Sequence, residues 1–148
     1  MLLAQIAWIC SPQAGGDTAA PISYQLLIWV SRRKILTVGK LGRSVFPAGC
    51  YVYTGSARRN LLRRIMRHLI RRKKLRWHID FLLSGRDVSV LQVRTAAVPE
   101  CALNQQPHGK ILVPGFGASD CRSGCGSHLK FLRPWHLAGG RRSRFCLS

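Results

Sequence analysis

A small single domain of the α+β class, with one central antiparallel or mixed sheet flanked by helices, is predicted by three observations. Short runs rich in β-branched and aromatic residues alternate with Gly/Pro-punctuated turns as far as Gly55. The apolar period then changes to that of a helix across residues 61–70, and a further alternating run follows at 88–98. The resulting order, β-β-β-α-α-β-α, is that of helices packed on one sheet. A chain of 148 residues, 47% of them hydrophobic, buries an ordinary core and excludes a disordered tail or a fibrous repeat.

Each element has its own local reason. SPQAGGDTAAP (11–21) is rich in Pro, Gly and Ala and reads as loop, so residues 1–21 form an N-terminal arm and linker. MLLAQIAWIC lacks the basic leader and the apolar length of a signal peptide. The domain proper is expected over 22–136. ISYQLLIWV (22–30) suits a buried strand and ILTV (35–38) a second, while GKLGRSVFPAG between them and the next strand reads as loop. CYVYTG (50–55) is a third strand, with Cys50, Val52 and Thr54 on one face and Tyr51 and Tyr53 on the other. Leu61, Leu62, Ile65, Met66, Leu69 and Ile70 form one apolar helical stripe, with Asn60 or Ser56 as its cap. A second helix is expected from Leu75 to Leu83, a strand over VSVLQVRTAAV, and a short helix from Glu100 to Gln106 stopped by Pro107. From Gly109 onward Gly, Ser and Pro dominate, which predicts mostly irregular chain, and 137–148 reads as a basic C-terminal tail.

The charge directs attention to a polyanion. Lys and Arg number 24 against 5 Asp and Glu, a formal net charge of +19. Self-repulsion of that size is relieved by nucleic acid, with DNA expected ahead of RNA. Residues 1–31 hold no Lys or Arg, whereas Arg58, Arg59, Arg63, Arg64, Arg67, Arg71, Arg72, Lys73, Lys74 and Arg76 follow with no acid among them. Together with His78 these side chains are the expected phosphate-binding surface. No apolar run approaches the roughly 20 residues of a membrane span, so no membrane partner is expected. The six cysteines are scattered rather than set out as a disulfide framework, which points to the cytoplasm.

Tyr51-Val52-Tyr53-Thr54-Gly55-Ser56, on a strand that runs into an Arg-rich helix, resembles the GIY-YIG nuclease superfamily. That superfamily pairs two tyrosine-bearing strands with a helix supplying an arginine and a later helix supplying a metal-binding glutamate. FPAGCYVYTGSA, LRWHIDFLL and VPGFGASDC look more closely like its uncharacterised branch that also occurs fused to endonuclease III in some archaea. The resemblance covers roughly Ile22 to Leu132 and implies a metal-dependent endonuclease. Tyr24 stands where the GIY tyrosine would be, although Ser23-Tyr24 departs from Gly-Ile-Tyr. Tyr53-Thr54-Gly55 stands at YIG with Thr54 in place of Ile; Arg64 and His68 match the arginine and histidine of the first helix, and Glu100 the metal ligand.

The chemistry of these side chains suits those roles. Glu100 is the only glutamate, and one carboxylate can hold a Mg²⁺ or Mn²⁺ whose other ligands are waters and a phosphate. Two-metal sites need several converging acids, and this chain has few. Arg64 is suited to clamp a phosphate, and His68, one turn on, to carry a proton or add a phosphate contact. Tyr24 or Tyr53 serves as a base only where neighbouring cations lower a pKa near 10. His78 and Asp80 are two apart and cannot share a helix face; they would cap or orient the basic surface. Cys121-x3-Cys125-x2-His128 invites a zinc reading with Cys146 or His136 as fourth ligand, but the irregular spacing and the lack of a second CxxC pair set the expectation against zinc. No small-molecule cofactor is expected. The rival reading is a non-catalytic DNA- or RNA-binding module on the same scaffold.

Overall fold

The computed structural model describes residues 19–134. Most of the expected N-terminal arm and the whole basic tail, with Cys10, His136 and Cys146, lie outside them. Four strands form the main sheet: β1 (Ser23–Val30), β4 (Gly49–Ser56), β5 (Val88–Ala96) and β6 (Leu129–Pro134), in the antiparallel order β5-β1-β4-β6. β2 (Lys34–Thr37) and β3 (Arg43–Phe46) make a separate antiparallel hairpin around a 3₁₀ turn at Gly39–Leu41. The helices are α1 (Leu61–Leu69), α2 (His78–Leu83) and α3 (Glu100–Gln105). This is the expected α+β class with an antiparallel sheet.

Period-two alternation fixes the two faces of the sheet. Tyr24, Leu26, Ile28 and Val30 of β1 point to one side, and Tyr53 and Tyr51 of β4 lie opposite Leu26 and Ile28 on that same side. Ile65 of α1, Ile79 and Leu82 of α2, Phe46 and Phe116 close over them as the main core. On the reverse face Gln25 donates to Thr54 Oγ1 at 3.3 Å and to the Leu103 carbonyl at 3.1 Å, which fastens α3 there. The two helical layers thus lie on opposite faces of the sheet, and the ends of β1 and β4 are where they approach each other.

Five local readings are corrected. GKLGRSVFPAG contains β3, in which Ser44 and Phe46 are buried and Arg43 and Val45 exposed; an alternation of four residues between Gly and Pro is too short to stand out. The Gly/Ser-rich tail returns to the sheet as β6, which pairs with β4. The stripe on α1 is rotated: Ile65 and His68 are buried, whereas Leu62 is 59% and Ile70 53% exposed. Finally, α2 begins at His78 because the Asp80 carboxylate accepts the backbone N–H groups of Arg76 and Trp77, at 2.9 and 3.0 Å, as half of a capping box. Neither proposed cap of α1 serves by its side chain: Asn60 sits at the N-cap in the left-handed region (φ 55°) without a side-chain bond, and Ser56 bonds elsewhere. No helix among the described residues is long and apolar enough to cross a membrane.

Candidate active site

At the ends of β1 and β4 the two layers leave an open cleft of about 210 Å³. Tyr24 and Tyr53 form its floor, Gly55 and Ser56 its β4 edge, and Arg64 enters from α1. Trp77 and His78 come from the start of α2, Glu100 from the start of α3, and Gly117 to Asp120 from the loop before β6. Of the five residues expected to carry chemistry, four therefore line one cleft. Gly55 has a specific reason to be glycine, since a Cβ there would collide with the ring and hydroxyl of Tyr24, its cross-strand neighbour.

The fifth, His68, lies beneath the floor. It is 2% exposed, and the Tyr24 hydroxyl meets its Nε2 at 2.6 Å. Its Nδ1 has no hydrogen-bond partner and faces Asp80 Oδ1 at 4.0 Å. With the proton on Nδ1, Tyr24 donates to Nε2 and the imidazole N–H is directed at a carboxylate, so both hydrogens are accommodated. Burial and the neighbouring Tyr53 push the Tyr24 pKa well above the usual phenol value, with Arg64 opposing. Burial does the same to Tyr53. Both phenols are protonated at neutral pH in the free protein.

His68 is held neutral: burial first, then Lys73, Arg67 and Arg64, bring its pKa down to about 3 against the pull of Asp80. Unfolded histidine titrates near 6.5, so below that pH the unfolded chain binds a proton that the folded one refuses. Stability accordingly falls as pH falls from about 6.5, by up to about 1.4 kcal/mol per pH unit. Asp80, held below the usual carboxylate range by Arg67 and two backbone N–H groups despite its burial, adds a loss of the same sign only in stronger acid. Urea midpoints should decline from pH 6 to 5, where His128, raised to about 9, is protonated in the folded chain and largely so in the unfolded one, and His68→Gln should remove a large part of that slope. His78, also lowered by burial, adds to the slope, and Glu100 joins it toward the acid end. An unchanged slope in the variant would show that His68 titrates normally.

Glu100 is positioned from two sides. Ser56 Oγ donates to its Oε2 at 2.5 Å, and His128 Nδ1 lies 3.0 Å from Oε1. Burial alone would raise its pKa, but these two hydrogen bonds and Arg64 outweigh that and keep it ionised. His128 is in turn raised to about 9, chiefly by Glu100. Behind Glu100, the ligand atoms of Cys101, Cys121, Cys125 and His128 lie within 4.8 Å of one another, a group that can hold a metal ion. Among the described residues the fourth member is Cys101; the candidates Cys146 and His136 lie outside them. The clue available in the sequence was its adjacency to Glu100, and the separation of 20 positions between Cys101 and Cys121 obscured it.

Arg64 is held as a positioned guanidinium. Its Nη1 donates to the Ser56 carbonyl at 2.6 Å, and its Cζ lies 4.9 Å from the centre of the Trp77 ring. Sequence reasoning did not single out Trp77 or Ser56 for these tasks, which only the folded register reveals. His78 accepts the Gly117 N–H at Nδ1, 3.0 Å away, and so ties α2 to the opposite wall. The basic surface separates into two groups. Arg58, Arg59, Arg63, Arg71, Arg72, Lys74 and Arg76 are exposed. Arg67 and Lys73 are turned inward to Asp80, at 2.9 and 3.7 Å, and belong to the structure beneath the cleft.

These features define an α+β domain with a polar, tyrosine-floored cleft beside a strongly basic helix. Residues 23–138 match the model of a family described as a domain of unknown function, DUF123, and the chain belongs to that family. No curated protein and no solved structure gave a match.

Proposed function

We propose that this domain is a metal-dependent endonuclease of the GIY-YIG kind that hydrolyses phosphodiester bonds in nucleic acid, DNA ahead of RNA. The observation that carries the reading is the convergence of Tyr24, Tyr53, Arg64 and Glu100 on one cleft beside the exposed bases of 58–76. Glu100 fits a single Mg²⁺ or Mn²⁺: it is ionised, faces the cleft, and keeps free lone pairs after its two hydrogen bonds. When bound, the ion supplies charge neutralisation at the phosphate and polarises water.

The protein's own groups supply the rest. Arg64 offers its free N–H groups to a non-bridging phosphate oxygen. Tyr24, which donates to His68 Nε2 at 2.6 Å, accepts a hydrogen bond from the attacking water and orients it; that water forms the new P–O bond and its proton passes to solvent. The P–O bond to the leaving oxygen breaks, and that oxygen takes a proton from solvent. A phenol with a raised pKa and an imidazole held neutral are both poor bases, so Tyr24 and His68 orient the water rather than take its proton.

The test is cleavage of supercoiled, branched and single-stranded DNA, and of RNA, with and without Mg²⁺. Wild type should cleave in a Mg²⁺-dependent way, and Glu100→Gln, which retains an acceptor for His128, should lose cleavage while still binding. Binding should weaken steeply with salt, by a log–log slope of about 0.9 per phosphate contacted on duplex DNA. Salt-sensitive binding without cleavage would favour the non-catalytic module, which the protonated state of both tyrosines supports. Cleavage that survives in Glu100→Gln would remove Glu100 from the site.

A further inference from the structure

The four-residue group behind Glu100 is built as a metal site rather than as a chance cluster of thiols. Cys101 and Cys121 are unbridged, and their sulfurs stand 3.7 Å apart. A disulfide would bring them to about 2.05 Å. A tetrahedral ion with Zn–S bonds of about 2.3 Å would place them about 3.8 Å apart, which is the spacing observed. All four ligand atoms lie within 4.8 Å of one another, close enough to be drawn onto one ion by small side-chain movements.

The histidine supplies an independent observation. Its Nδ1 is engaged by Glu100, yet its Nε2 is buried without any hydrogen-bond partner in a residue only 3% exposed. A buried polar atom in that condition is costly unless a ligand meets it. A metal-bound imidazole that hands its other N–H to a carboxylate is the usual arrangement around protein zinc, because the carboxylate fixes the tautomer and the ring orientation. Glu100 is that carboxylate here. The loop geometry agrees, since Gly124 and Gly126 adopt left-handed φ values of 69° and 74° on either side of Cys125.

We infer that Cys101, Cys121, Cys125 and His128 bind one structural Zn²⁺, with Glu100 as the outer partner of His128. Thiolate and imidazole donors favour zinc over Mg²⁺, and four protein ligands leave no open position for substrate. The ion would join the start of α3 to the loop that precedes β6. Those two segments carry Glu100 and the Gly117–Asp120 wall, so the zinc would set the width of the cleft from behind. The site is independent of whether the cleft cleaves nucleic acid.

The experiment is metal analysis of the full chain purified under reducing conditions without chelator, followed by Co²⁺ titration of chelator-treated protein. The expected result is one equivalent of zinc and, with Co²⁺, the visible bands and thiolate charge-transfer absorption of a tetrahedral sulfur-rich site. Cys121→Ser and Cys125→Ser should each lose stoichiometric zinc. Glu100→Gln should retain zinc with affinity weaker by about 10- to 100-fold or less. The titration of wild type needs no variant to fold. Folded, reduced wild type that takes up neither zinc nor cobalt would overturn the inference, as would full zinc content in the cysteine variants.

Discussion

Asp80→Asn should lower the unfolding free energy by about 3–5 kcal/mol, the cost of removing one partner from a buried ion pair. Asp80 is fully buried, and its two oxygens receive Arg67 at 2.9 Å each, with Lys73 at 3.7 Å and the backbone N–H groups of Arg76 and Trp77. Asparagine can still accept from the backbone, but its amide would turn a donor toward the Arg67 guanidinium and leave two half-buried cations uncompensated. The damage should travel to the cleft, because Arg67 stacks on Trp77 at 4.3 Å and Arg64 rests on the same ring. Urea unfolding of the variant beside Asp87→Asn is the measurement. Asp87 pairs with Arg32 and Lys34 at a partly exposed site, where screening by water makes the loss smaller. Equal losses in the two variants would mean that Asp80 is not the anchor of this region.

This anchor illustrates what could and could not be read from the sequence. An unbroken series of basic residues after Ser56 reads as one phosphate-binding surface, since nothing local distinguishes one arginine from the next. The distinction is tertiary: Asp80, on the following helix, selects Arg67 and Lys73 and leaves Arg63, Arg71 and Arg72 in solvent. The same limit applies to His68, whose helical spacing from Arg64 is legible but whose burial under Tyr24 is not. It applies again to Cys101, which joins Cys121 only once α3 and the loop before β6 have packed together.

By contrast, the central strands were legible because their residues obey a strong local rule. β1 and β4 are short runs rich in apolar, β-branched and aromatic residues, the shared face of Tyr51 and Tyr53 within a strand follows from parity alone, and the sheet needs only the correct register to bring Tyr24 beside Gly55. β3 and β6 lacked that signal: one is four residues long, and the other follows a segment whose glycines and serines resemble loop. The order in which tyrosine strand, arginine helix and glutamate helix occur was visible. Their convergence required β1 and β4 to pair, and α3 to reach the reverse face through Gln25.

Under the proposed activity, Arg64→Lys should slow cleavage by about 100- to 1,000-fold, the range for losing one positioned group that stabilises charge in the transition state. Lysine keeps the charge but cannot at once donate to the Ser56 carbonyl, lie flat on Trp77 and present paired N–H groups to a phosphate. Binding to duplex should change little, because the exposed Arg58, Arg59, Arg63, Arg71, Arg72, Lys74 and Arg76 retain the field that attracts the backbone. The matched control is Arg63→Lys, one residue away and exposed, which should cleave within a few-fold of wild type. If both variants cleave like wild type, Arg64 contributes only charge and the clamp lies elsewhere in the cleft. If both fail to the same degree, the helix rather than the guanidinium is at fault. The asymmetry expected between neighbouring arginines follows from geometry: a charge that merely attracts can sit anywhere on the basic surface, whereas one that stabilises a reacting phosphate must be held at a fixed point beside Glu100.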